Sequence, residues 1–150
     1  MSDHSSQTVK MVGRSPQNGT AFIVYGIPQP KGSTRAFVKN GRTITTSANP
    51  RLKDWHNLVA MAAQEYRPKD GLITGTVGLS LKFHFVRPKS VSKKKRPYHT
   101  VKPDIDKLTR AVLDALTGIF YADDAQVDEL VVEKGYSDSP RVEIWVWGAK

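Results

Sequence analysis

Residues 77–86 read VGLSLKFHFV, with Val77, Leu79, Leu81, Phe83 and Phe85 at every second position. That spacing is the repeat of an extended strand, whose side chains alternate between two faces, and it does not match the 3.6-residue repeat of a helix. A strand this apolar on one side has to lie in a sheet with that side against another layer, so the chain must supply both partner strands and a cover. Gly78, Ser80, Lys82 and His84 take the alternate positions and read as the solvent side, which places His84 at the surface.

Partners are found on both sides of this run. Thr20–Tyr25 is a β-rich segment closed by Gly26, Pro28 and Pro30. Ala36–Val38 and Thr43–Thr46 flank Asn40-Gly41, the favoured dipeptide of a two-residue hairpin. Val127–Lys134 and Val142–Trp147 read as two further strands joined by the turn Ser137–Pro140. The cover comes from two helical patterns. In the first, Leu52, Trp55, Leu58, Val59, Ala62, Ala63 and Tyr66 recur at helical spacing until Pro68 and Gly71 stop them. In the second, Ile105, Leu108, Val112, Leu113 and Leu116 do the same until Gly118. The tryptophans, Trp55, Trp145 and Trp147, read as packing residues. The expected fold is α+β, two main helices against one mixed, largely antiparallel sheet. The polar residues 1–19 are expected to be a disordered leader, with a single domain over 20–150.

A chain of 150 residues buries about 70% of its unfolded surface, which is core enough without cross-links. Cys is absent, excluding disulfides, a thiolate nucleophile and a cysteine zinc cage, and favouring a reducing, cytoplasmic setting. Neither a secretory signal nor an apolar run of membrane-spanning length is present, so a soluble protein with no membrane partner is expected.

Charge divides the chain unevenly. Residues 1–103 carry 18 Lys and Arg against 4 acids, and residues 104–150 carry 5 against 10, within a net charge of +9. The basic part points to a polyanion such as nucleic acid. Residues 87–102, RPKSVSKKKRPYHTVK, contain no acid and read as a mobile basic loop, with Lys93, Lys94, Lys95 and Arg96 contacting phosphates and His99 at the surface. A purely electrostatic binder gains nothing from turning clustered carboxylates towards phosphates, so the acidic part needs another explanation.

Asp104 and Asp106 are two positions apart, which puts them on one side of an extended chain but about 200° apart in a continuous helix. Pro103 biases its predecessor towards extended structure, so the second helix should begin at about 104–106 and allow the two to converge. Asp104 then stands at the helix entrance, and Asp106 lies one turn before Arg110 on the flank. Asp123-Asp124 follows the helix, where the chain returns as a strand. Should Asp104, Asp106 and one of this pair converge, their like charges require a cation between them, and carboxylate oxygens suit Mg²⁺ or Mn²⁺. Such an ion beside a basic surface points to phosphodiester hydrolysis, with Arg110, Lys107 or Lys102 stabilising the transition state. The plainer alternative makes Asp104 a helix cap and Asp106 a first-turn acid. Asp123 reads as a turn-shaping neighbour, Asp114 as an exposed partner of Arg110, and Gln126 as a residue that either orients the turn or touches nucleic acid.

The segment KPDIDKLTRAVLDALTGIFYADDAQV, residues 102–127, resembles the signature of the RusA family of Holliday junction resolvases. It combines a DxD, a helix of LDAL type and Y-x-D-D-x-Q at fixed spacing, a rarer conjunction than a lone DxD. Gly26, Pro28, Lys31 and Arg35 resemble the family's first strand and basic turn, so the likeness spans about residues 20–147. The resemblance implies a RusA-like fold, Asp104, Asp106 and Asp124 as the catalytic and metal-binding aspartates, a Mg²⁺ requirement, and a homodimer that nicks four-way DNA symmetrically. Two positions depart from the pattern: Lys107 stands where the family commonly has Asn, and Arg110 where it has a functional lysine. Arginine keeps the charge but does not release a proton at neutral pH. Lys31, Arg35, Lys93, Lys94, Lys95, Arg96 and Lys102 are the expected DNA contacts. The alternatives are a broader branched-DNA or flap nuclease, and a nucleic-acid-binding protein without catalysis.

Overall fold

The computed structural model describes residues 19–32, 34–47 and 49–148, with the backbone alone for 34–37 and 44–47. In chain order the elements are β1 (Gly19–Tyr25), β2 (Thr34–Lys39), β3 (Arg42–Ser47), α1 (Leu52–Tyr66), β4 (Val77–Val86), α2 (Ile105–Leu116), a 3₁₀ turn (Asp124–Gln126), β5 (Val127–Ser137) and β6 (Arg141–Gly148). Every predicted strand and helix is present. Of the expected leader, residues 1–18 lie outside the described residues, and Gly19 opens β1.

The four-stranded sheet has the order β1-β6-β4-β5. β6 runs antiparallel to both β1 and β4, while β4 and β5 are parallel. This is the expected mixed, mostly antiparallel sheet with two helices. Despite the short turn between them, β5 and β6 are not neighbours, because β4 lies between. The parallel pair is joined by the long crossover that carries α2, as parallel strands require. β2 and β3 form a separate hairpin. Its turn has positive φ at both Asn40 (52°) and Gly41 (76°), as a type I′ turn demands.

One face of the sheet is covered by the helices. Val59 and Ala63 of α1, with Leu108, Val112 and Leu116 of α2, share a fully buried core with Leu79, Leu81, Phe83 and Ile144. Phe22 stacks on Tyr66 and Phe120 at ring separations of 5.3 and 5.7 Å.

The other face corrects the expectation of a solvent-facing side to β4. Trp147 lies across β4 where Gly78 carries no side chain, and a Cβ there would run into the indole. Gly19 leaves the same room for Trp145. On this face Ser80 is only 3% and His84 8% exposed, so β4 is buried on both faces and His84 is not a surface residue. His84 Nε2 lies 3.2 Å from the Glu143 carboxylate. Burial pushes the imidazole pKa down against the opposing pull of Glu143.

Residues 87–102 contain no helix or strand, as expected, but they are anchored rather than loose. The Arg87 guanidinium sits 4.2 Å from the centre of the Tyr136 ring and donates to the carbonyls of Arg96 and Pro97. His99 stacks on Phe85 at 4.5 Å and meets Tyr136 at 5.0 Å. His99 is therefore buried, contrary to its expected surface position, and burial lowers its pKa. An imidazole and a guanidinium packed on aromatic rings hold the loop without secondary structure.

Candidate active site

α2 begins where Pro103 predicts. Asp104 is the residue before the first helical turn, with extended backbone (φ −71°, ψ 142°), and its carboxylate makes no capping hydrogen bond. That removes the plainer reading of Asp104 as a cap. The carboxylate turns instead to two cations, Lys102 at 3.0 Å and Lys107 at 3.4 Å. The hydrogen bond from Lys102 is the main influence holding the Asp104 carboxyl below the usual carboxylate range, with Lys107 adding to it. Because Asp104 is extended and Asp106 helical, the two escape the opposed placement of a continuous helix and line one cleft together with Lys102 and Lys134.

Asp124 arrives on the turn before β5, and that turn is clamped by Gln126. The Gln126 carboxamide oxygen accepts from Ala122 N (2.9 Å) and Asp123 N (3.0 Å). Its nitrogen donates to the carbonyls of Ile73 (2.7 Å) and Gly75 (2.9 Å). Asp123 caps the same turn, its Oδ1 accepting from Ala125 N at 2.9 Å. Tyr121 closes the other side, its buried hydroxyl donating to Leu113 O at 3.0 Å. Asp123 and Gln126 thus shape the turn, and Asp124 is the member of the pair left to face the cleft.

The floor is β5. Asp106, Arg110 and Leu113 of α2 face Asp124, Leu130 and Val132 across a cleft of about 540 Å³. It adjoins the cleft of about 700 Å³ that holds Asp104, and Ile105 and Asp106 line both. Arg110 is exposed there and has no ion-pair partner among the described residues. Asp114, expected to pair with Arg110, instead pairs with Lys31.

For a divalent cation the donor chemistry is suitable, three carboxylates without thiolate or imidazole. Among the described residues, however, no three acidic or histidine side chains stand close enough together to enclose an ion as arranged. Asp106 is the link, sharing one cleft with Asp104 and the other with Asp124.

The expected DNA contacts fall into three groups. Lys93, Lys94 and Lys95 are exposed, and Lys102 is 81% exposed beside Asp104. Arg96 is half-buried, donating to Tyr136 Oη at 3.2 Å, and Lys31 is engaged with Asp114 and through its backbone N with Lys107 O at 3.0 Å. Arg35 lies on β2 opposite Thr46, and its side chain is outside the described residues. The residue that sequence reasoning missed is Lys134, whose ammonium donates to the carbonyls of Val101 (2.7 Å) and Pro103 (2.9 Å). A signal was present: with Leu130, Val132 and Tyr136 at every second position, a period of two puts Lys134 in an apolar row.

The model of the family described as Endodeoxyribonuclease RusA matches residues 28–146. A relative from Bacillus subtilis (strain 168), named "Uncharacterized protein YqaN", is 37% identical over 134 residues, covering 83% of this chain and 93% of its own length.

Proposed function

The chain belongs to the RusA family of endodeoxyribonucleases, and from that premise we propose that it is a Mg²⁺-dependent crossover junction nuclease. It acts as a homodimer in the cytoplasm, resolving four-way and similar branched DNA by paired, symmetrical nicks. The observation that carries this reading is Asp106, the wall common to the two clefts that hold Asp104 and Asp124. Those three aspartates would hold the cation, Mg²⁺ or Mn²⁺, with Asp104 turned away from Lys102. When bound, the ion supplies Lewis acidity to the attacking water and the leaving oxygen.

The remaining steps belong to the chain itself. Arg110, exposed and unpaired among the described residues, faces the scissile phosphate and stabilises its added negative charge, staying protonated throughout. Lys107 and Lys102 keep Asp104 ionised, and Lys102, 81% exposed, would be free to meet the phosphate once Asp104 served the ion. Lys93, Lys94 and Lys95 hold a DNA arm through its backbone, without reading bases. Lys31 and Arg35 lie on the 27–39 side, and Lys31 reaches DNA by leaving Asp114. A two-fold protein matches the two-fold symmetry of a four-way junction.

A nicking assay on a four-way junction, with and without Mg²⁺, tests the reading. Paired nicks should require the ion and vanish in Asp106→Asn and Asp124→Asn, while junction affinity is kept or raised because a carboxylate near phosphates repels them. Binding without cutting would favour a non-catalytic binder, and equal cutting of flaps and junctions a broader nuclease.

A further inference from the structure

We infer that Lys134 is a positioning residue for the acidic site: reaching up from β5, its ammonium ties the carbonyls on either side of Lys102 and fixes the segment from which Asp104 enters α2. The inference rests on the reading of Asp104 and Asp106 as cation ligands.

Lys134 occupies a place that its neighbours make apolar. Leu130, Val132 and Tyr136 share its side of β5, and burying part of an ammonium among them is unfavourable unless its donors are used. Two of the three are used within the chain, on Val101 O and Pro103 O. Among the described residues, 100–103 make no backbone-to-backbone hydrogen bond, so this ammonium is what anchors the stretch. The anchor acts one residue before Asp104, and Lys134 lines the same cleft as Asp104 and Asp106. A lysine whose donors are spent on its own chain is poorly placed to bind DNA, which separates it from Lys93, Lys94 and Lys95. Its charge also lies close enough to Asp104 for the two to attract each other. Groups that orient ligands in this way lower metal affinity or activity by about 10–100-fold when removed.

Four readings test this on the full chain: Mn²⁺ affinity of DNA-free protein by titration calorimetry, amide exchange over 101–107, junction affinity in EDTA, and the Mg²⁺ dependence of nicking. Lys134→Met should weaken Mn²⁺ binding about 10-fold and raise the half-saturating Mg²⁺ by a similar factor. Exchange over 101–107 should quicken, while junction affinity stays within about twofold. Lys134→Arg, which keeps charge and donors, should recover most of the Mn²⁺ affinity. Lys134→Gln serves as the second variant should the methionine form melt early. Unchanged Mn²⁺ affinity in Lys134→Met, with the parent protein binding Mn²⁺ normally, would overturn the inference alone. So would a fall in junction affinity with metal binding intact, which would make Lys134 a phosphate contact. A parent protein that binds no Mn²⁺ and cuts nothing would overturn the proposed function, and this inference with it.

Discussion

Asp124 and Asp104 are brought to adjoining clefts by different kinds of restraint. The turn carrying Asp124 is held by four hydrogen bonds from one side chain, Gln126, only two positions further along. The approach to Asp104 is held by Lys134, 31 residues beyond Pro103, and by a loop packed through His99 and Arg87 onto the aromatic ring of Tyr136. Two of the four Gln126 bonds, with Ala122 and Asp123, and the Asp123 cap form as soon as the turn's own few residues meet, while the other two reach Ile73 and Gly75. A clamp made across the sheet exists only once β5 has paired with β4. The turn of Asp124, which keeps three hydrogen bonds within residues 122–126, should therefore stay placed under conditions that loosen the approach to Asp104.

The largest effect should come where the two halves meet. Asp106 belongs to both clefts, so Asp106→Asn should cost more than about 100-fold in nicking rate, beyond the usual cost of losing a group that merely orients a ligand. Asp124→Asn with Asp104→Asn should add little to it, which single-turnover kinetics on a junction would show. A full sum of the separate losses would mean that the two halves act independently.

Next in size is Gln126→Ala. It strips the turn of its clamp and returns the bonded backbone groups to water, costing about 1 kcal/mol, and a chain of this length should then melt about 2–4 °C lower. Amide exchange should quicken at 122–126 and around Ile73 while 101–107 stays protected. Loosening of both regions together would erase the distinction between local and long-range support.

The smallest effect is with pH. His84 and His99 both have imidazoles pushed below their ordinary value of 6.5, chiefly by burial. Below pH 6.5 the unfolded chain therefore binds more protons than the folded one, and stability falls as the pH drops from about 6.5 towards the folded values. The melting temperature should decline over that interval and should decline less in His84→Asn and His99→Phe. Because His99 sits in the loop that leads to Asp104, exchange at 99–104 should quicken on acidification before that of 122–126. A melting temperature that rises on acidification would contradict the assigned direction.

Much of the fold was legible because its signals are local. The alternation from Val77 to Phe85, the Asn40-Gly41 turn and the apolar stripe from Leu108 to Leu116 each lie within one element. The start of α2 after Pro103 and the turn role of Asp123 were readable for the same reason. What escaped depends on partners far away in the chain. Ser80 lies opposite Trp145 of β6 and His84 opposite Arg141 and against Glu143, and no periodicity within β4 reports that. The loop at 87–102 reads as free until Tyr136 is placed beneath it. Asp114 has Arg110 one turn away, yet it pairs with Lys31, 83 residues distant. Lys134 alone was within reach of local reasoning, as the charged member of an apolar row.

The most direct measurement is the anomalous scattering of crystals grown with Mn²⁺. One or more Mn²⁺ peaks are expected between α2 and β5, with oxygens of Asp106 and Asp124 as ligands and Asp104 turned from Lys102 to join them. A protein that cuts junctions while its Mn²⁺ binds elsewhere, or with Asp104 still held by its lysines and Asp124 unligated, would contradict it.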